Sequence, residues 1–303
     1  MVLHRYLLHL STIVLALVSP SWASFENTGV TRSVDLGGSL VYTTTTYNVK
    51  ALEDGSNVYV FALTEKEQGT TSWMEARVKG HTAPLSLENH GLSQEYVLDF
   101  IALALSCIMA DVVAYSATYY YSVALPKALD KDQTASLTLE TVQTHAAYPF
   151  PPHSSQDDRQ ALKYDTELFV LSPYKSLVQK TKFKLVTSLG VVVTPQLMVL
   201  VHSSTVGFPI FSYTQPKEVT FTTGSIATKS NTGAAVTYGP FSNLPPSSNT
   251  AFVEEHQQKV SIHYDFGFPM LAVKTLQRAA EISHWGANLN IQDEIHLHNA
   301  GPQ

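Results

Sequence analysis

The chain has 303 residues, enough for one large domain or two modest ones, and a formal net charge of −6. No basic stripe or Lys/Arg-rich run occurs, which argues against nucleic acid as a partner. Val, Thr, Ser and Tyr are plentiful, a composition that favours strands over helices.

The first residues have the pattern of a secretory signal. His4 and Arg5 give a positive start, residues 7–18 form an apolar run, and Ser21 and Ala23 place small residues before a cleavage point after Ala23. The run falls short of the ~20 apolar residues that cross a bilayer, so residues 1–23 are expected to be a cleaved signal peptide and not an anchor. No Asn-x-Ser/Thr acceptor follows, because Asn27, Asn231 and Asn249 each have Thr one position too early.

Most of the remaining chain reads as short strands. Residues 39–50 are rich in Thr, Tyr and Val, and residues 56–63 follow the Asp54-Gly55 turn signal. Residues 135–144 alternate, and residues 168–171, 181–185 and 218–223 are further strand candidates. In residues 259–264, Val260, Ile262 and Tyr264 alternate as in a strand with one buried face. Pro/Ser/Asn clusters at 148–155 and 243–249 read as loops. Many short strands between turn signals predict an all-β sandwich.

Two stretches break this pattern. Residues 92–118 and 186–206 are long apolar runs, and they read in isolation as buried strands or a core helix. Asp99 and Asp111 interrupt the first, Pro195 and His202 the second, which argues against membrane spans. Cys107, the only cysteine, lies in the first and cannot form an internal disulfide. There is also a faint repeat: Arg32 stands three residues before Asp35 and Arg278 three before Glu281, each followed by an aliphatic residue and then a glycine.

No catalytic, cofactor-binding or metal-binding residue is assigned. His296 and His298 share one face of a strand and, with His284, Asp293 or Glu294, carry metal-ligand chemistry; a solvated strand edge accounts for them as well. There is no Gly-x-Ser-x-Gly elbow and no phosphate-cradling glycine loop. Asp157-Asp158 and Glu254-Glu255 lie in polar stretches and read as solvated charges. Trp285 before Gly286 is expected to be a packing anchor where two domains meet. Tyr148-Pro149-Phe150-Pro151-Pro152 is expected to be an ordered loop with aromatic plugs, with a polyproline-type ligand as the other reading.

Five blocks in order carry a resemblance. They are Thr31-Arg32-Ser33-Val34-Asp35-Leu36, Glu140-Thr141-Val142-Gln143-Thr144-His145 with the Tyr148-Pro149-Phe150-Pro151 after it, Ser172-Pro173-Tyr174, Tyr238-Gly239-Pro240-Phe241, and Ser283-His284-Trp285-Gly286. Together they resemble the ribophorin I family, subunit 1 of the oligosaccharyltransferase complex that N-glycosylates proteins in the endoplasmic reticulum. The resemblance implies a first lumenal β-sandwich domain over residues 24–270 and the truncated start of a second β-rich domain over 271–303. It implies a non-catalytic role, with no cofactor of its own. The partners it implies are the other subunits, including the catalytic one, and nascent polypeptide. An intact family member is membrane-associated, and this chain is expected to be its front part. Residues 92–118 and 186–206 do not match the family and are expected to be insertions, of the kind a retained intron would encode. Two other classes stay open: a secreted β-sandwich binding protein, and a metal-dependent secreted hydrolase using His296 and His298.

Overall fold

The computed structural model describes residues 24–92, 118–155, 158–185, 209–216, 221–222 and 225–302. The architecture is all-β, in several sheets, and among the described residues no sheet closes into a barrel. The largest sheet has seven strands. In spatial order these are β12 (Ala227–Lys229), β13 (Ala235–Leu244), β10 (Ser176–Leu185), β1 (Phe25–Leu36), β2 (Leu40–Ala51), β7 (Thr134–Thr144) and β4 (Thr71–Val78). Among the described residues only the β1–β10 pair is parallel; its register sets Arg32 beside Thr181 and Asp35 beside Lys184. A three-stranded sheet is ordered β3 (Ser56–Thr64), β6 (Thr118–Leu129), β5 (Leu87–Leu92). A four-stranded sheet is ordered β11 (Ile210–Tyr213), β14 (Lys259–Asp265), β9 (Ala161–Glu167), β8 (Ala147–Pro149). Strands β15 (Leu271–Ile282) and β16 (Leu289–Asn299) pair with each other.

Period-two alternation explains how one large sheet serves two cores. On β1 and β2, Val34, Leu36 and Val41 join a core with Leu162, Tyr164, Val260, Ile262 and Tyr264 of the four-stranded sheet. Further along the same strands, Phe25, Val30, Tyr47 and Val49 join a second core with Tyr59, Phe61, Tyr121 and Val123 of the three-stranded sheet. Between the two cores the inward positions turn polar: Arg32, Thr45, Thr141, Gln143 and Thr181 are all buried. Among the described residues there are two short helices, α1 (Glu65–Thr70) and α2 (Thr250–His256).

Several expectations are corrected here. Leu168, Phe169 and Leu171 are buried and Val170 half-buried, but residues 168–171 form a loop, not a strand. Two glutamine side chains take the place of a neighbouring strand. Gln257 accepts from Phe169 N and donates to Phe169 O, and Gln179 does the same for Val170. The 243–249 segment is only partly loop, since β13 runs to Leu244 and Asn249 caps α2. Of residues 218–223, only 221–222 are described, and Thr222 makes one isolated bridge to Phe241. The aromatic plugs are not plugs: Tyr148 and Phe150 are exposed on the outer face of the four-stranded sheet. Trp285 is no packing anchor either. It lies fully exposed in the turn between β15 and β16.

The two apolar stretches lie outside the described residues except at their ends, as do Cys107 and residues 1–23. Leu92 pairs with Tyr119 as the last step of the antiparallel β5–β6 ladder. Leu185 N bonds Ala234 O and Ile210 N bonds Gly233 O, so that break too opens and closes at neighbouring points. Within the Tyr238-Gly239-Pro240-Phe241 block, Gly239 has φ +90° and faces Gln179 O so closely that a Cβ would lie 2.9 Å from it. That backbone conformation and close approach favour glycine.

Candidate functional site

The polar seam between the cores is organised by α1. Thr64 caps this single turn, accepting from Glu67 N, while the Glu67 carboxylate accepts from Thr64 N, a reciprocal capping box. The cap aims Glu67 at Arg32, which is 3% exposed, with Nη1 3.2 Å from Glu67 Oε1. Arg32 Nη2 donates to Glu167 O at 2.6 Å and Nε to Thr181 Oγ1 at 3.3 Å. One guanidinium thus ties α1 to β9 and β10 through its fixed fork of donors. Burial holds the Glu167 carboxyl above its ordinary pKa, with the nearby Glu67 charge adding to the effect. Burial likewise lowers the Lys66 ammonium, against the pull of Asp165.

Lys66 Nζ donates to Asp165 O at 2.6 Å, which links the seam to the outer face of the four-stranded sheet. There the buried Asp165 carboxylate is a hub. It accepts from Ser261 Oγ and from Tyr148 OH at 2.8 Å, and Lys259 Nζ stands 2.9 Å from Oδ2. Burial alone would raise its pKa; the bonds from Ser261, Lys259 and Tyr148 outweigh that and hold it at about 2. The same face continues into rings. His263 stands between Phe150 and Phe211, with both ring centroids 5.4 Å away, and its Nε2 lies 2.9 Å from Phe150 O. Lys163 Nζ sits 5.0 Å from the Phe150 centroid, a cation–π contact, and 4.0 Å from Asp165 Oδ1. Phe150 is 45% exposed and Phe211 48%. Register explains the grouping: His263 lies beside Lys163, Lys163 beside Tyr148, and Ser261 beside Asp165.

The residues weighed for catalysis are scattered by the fold. His296 Nε2 lies 3.1 Å from Glu294 Oε1 on the polar side of β16, while Asp293 on the other side pairs with Arg278. His284 is in the β15–β16 turn. Among the described residues no three His, Cys, Asp or Glu group closely enough to hold a metal ion. Asp158 accepts from Ser155 N in an exposed turn, and Glu254 and Glu255 are exposed on α2. Sequence reasoning passed over the seam and the aromatic face. The Thr64-x-x-Glu67 capping box was a readable signal; nothing local marks Asp165 or His263.

A profile of the ribophorin I family matches residues 25–303. The chain belongs to the ribophorin I family. Among curated proteins, dolichyl-diphosphooligosaccharide–protein glycosyltransferase subunit 1B of Arabidopsis thaliana is 29% identical over 61% of this chain and 31% of its own length. Subunit 1 of Caenorhabditis elegans is 21% identical over 92% of this chain and 38% of its own length. The chain therefore spans about a third of the length of these relatives. Leukotriene A4 hydrolase of Saccharomyces cerevisiae overlays with a TM-score of 0.37 and 10% identity, covering 84% of this chain and 30% of that one; the score is too low to equate the folds.

The family's blocks now have places in the fold. Thr31–Leu36 is the end of β1 carrying Arg32, Glu140–His145 closes β7 at the buried Gln143, and Tyr238–Phe241 is the Gly239 kink of β13. Ser172 accepts from the Asn27 side chain at 2.8 Å, and the Tyr174 hydroxyl accepts from Val60 N at 3.2 Å.

Proposed function

We propose that this chain is the front part of a non-catalytic subunit of the oligosaccharyltransferase complex. It works on the lumenal side of the endoplasmic reticulum, supporting transfer of lipid-linked oligosaccharide to asparagine of nascent polypeptides. The observation that carries the reading is the family match over residues 25–303, together with relatives that are named as subunit 1 of that glycosyltransferase. Its partners are the other subunits, the catalytic one included. Among the described residues no helix is long and apolar enough to cross a membrane.

Residues 1–23 act as a signal peptide cleaved after Ala23. Residues 24–270 form the first lumenal domain, with 92–118 and 186–206 inserted into it, and residues 271–303 begin a second. The adjacent entry and exit points of both breaks support the insertion reading. Among the described residues β15 and β16 pair only with each other, which supports the boundary. The test is purification of the tagged chain from endoplasmic reticulum membranes. The catalytic subunit should co-purify, and a glycosylation reporter should lose occupancy when the chain is depleted. A folded chain recovered without any other subunit, with reporter glycosylation unchanged on depletion, would overturn the assignment.

A further inference from the structure

We propose that the outer face of the seven-stranded sheet holds a neutral oligosaccharide, laid across the strands on Tyr42 and Trp73. This is the side of the sheet turned away from both cores, and register builds it in cross-strand rows. One row runs Lys184, Asp35, Tyr42, Val142, Trp73, over β10, β1, β2, β7 and β4. The next runs Lys182, Ser33, Thr44, Glu140, Glu75 over the same strands. Beyond it Thr31, Thr46 and Thr138 stand in register with one another. Tyr42 is 48% exposed and Trp73 45%, and neither ring belongs to a core. They lie two strands apart with the half-buried Val142 between them. Their backbones are thus about 9–10 Å apart, the spacing of the first and third rings of an extended glycan.

The chemistry of the rows selects the ligand. Charges are matched within the face. Lys184 Nζ stands 3.5 Å from Asp35 Oδ1, Arg77 pairs with Glu75, and Lys182 shares its row with Glu140. Lys180, beside Thr31, is left over at one margin. Neither sign of ligand charge is therefore favoured, which points to an uncharged ligand. What remains is an apolar strip beside a field of hydroxyls. Among the described residues no side-chain hydrogen bond engages Thr31, Thr44, Thr46 or Thr138. Asp35 Oδ1 likewise has no hydrogen-bond partner, and its side chain is 42% exposed. A stable protein interface needs a broad apolar centre, and this strip is three side chains wide. A sugar ring has both halves of the match. Its C–H face lies on an aromatic ring, and its rim of hydroxyls both donates and accepts. Glycan rings on Tyr42 and Trp73 place their hydroxyls beside Asp35, Thr44 and Glu140.

The purified full chain tests this with no other subunit present, so the outcome does not depend on complex membership. The probes are cellotetraose, mannotetraose and chitotetraose, with tetragalacturonate as the charged control and an uncharged Ser/Thr/Tyr peptide as the polypeptide control. The readout is the indole N–H resonance of Trp73, assigned by its loss in Trp73→Phe. At least one neutral tetrasaccharide should shift that resonance and bind tighter than its disaccharide, which cannot reach both rings. Binding should be the same at low and physiological salt, because no ligand charge is there to be screened. Trp73→Ala and Tyr42→Ala should each weaken it by about tenfold, with the melting curve unchanged. No shift of the indole by any of the three neutral glycans would overturn the proposal. So would tighter binding of tetragalacturonate or of the peptide, or binding that survives both alanine variants. The indole is read on the unaltered protein, so the test stands even if a variant misfolds.

Discussion

Replacing Gln179 by Met probes the device that holds the 168–171 loop without a neighbouring strand. Gln179 is 1% exposed, and its amide makes two 3.0 Å bonds, one to Val170 N and one to Val170 O. Methionine fills similar volume and removes both. Each neutral bond contributes about 1 kcal/mol net, and a buried group left unpaired costs about 1–3 kcal/mol. Val170 is half-buried, so water reaches part of the vacated backbone; the loss should be about 2–3 kcal/mol. That corresponds to a fall of roughly 5–10 °C in Tm for a domain of this size. Gln257→Met removes the matching clamp on Phe169 from a half-buried side chain, which water can partly replace, so it should cost less, about 1–2 kcal/mol. Urea and thermal melts give the energies, and hydrogen exchange at the Val170 amide locates the change. A Gln179→Met variant within about 0.5 kcal/mol of the parent, or one less damaging than Gln257→Met, would refute the reasoning.

Acid should act on two carboxyls in opposite directions. The Asp165 pKa of about 2 lies below its ordinary 3.8, so its stabilisation is complete above about pH 4 and lost as pH falls toward 2. Asp165→Asn should therefore flatten the acid limb of the urea midpoint. Glu167 is raised by burial, so it gives up stability as pH rises through its folded value, and Glu167→Gln should gain stability at neutral pH. Joining Leu92 to Thr118 by a two-residue Asn-Gly turn, and Leu185 to Pro209 by a short linker, should leave a cooperative melt; loss of cooperativity would mean that the excised residues belong to the core. Amides of β16 should exchange faster than those of β14, because a two-stranded hairpin alone is marginal; equal protection would place the hairpin in the first domain.

Alternation was the legible part. Val260, Ile262 and Tyr264 were read as one buried face, and they are, because a strand's side-chain period survives whatever sheet it joins. The short edge strands β8, β11 and β12 gave no comparable signal, because three or four residues are too few to establish a period. The 168–171 loop misled because burial, not strand geometry, selects Leu168, Phe169 and Leu171. Trp285 misled for the converse reason: its size favours burial, but the turn holding it has no described neighbour to bury it. The outer aromatic face was illegible because its members come from β8, β9, β11 and β14, and only pairing register brings them together.

The two arginines of the faint repeat separate what a local pattern determines from what it does not. Arg32 is the eighth residue of the 12-residue β1, and Arg278 the eighth of the 12-residue β15; each strand opens an antiparallel hairpin. Local sequence is enough for that much, since strand propensity and turn residues act within a few positions. The surroundings differ completely. Arg32 is buried and holds Glu67, Glu167 O and Thr181, whereas Arg278 lies in the open, paired with Asp293 across the hairpin. Around Arg278 the same face carries Leu276, Ile282, Leu289, Ile291, Ile295 and Leu297, all exposed. Such a contiguous apolar surface marks an interaction face. In β1 the equivalent residues Val30, Val34 and Leu36 are covered by the two smaller sheets. The hairpin thus has the local order of a domain's first two strands, and among the described residues no layer buries its apolar side, a contrast that supports the proposal of a second domain over residues 271–303.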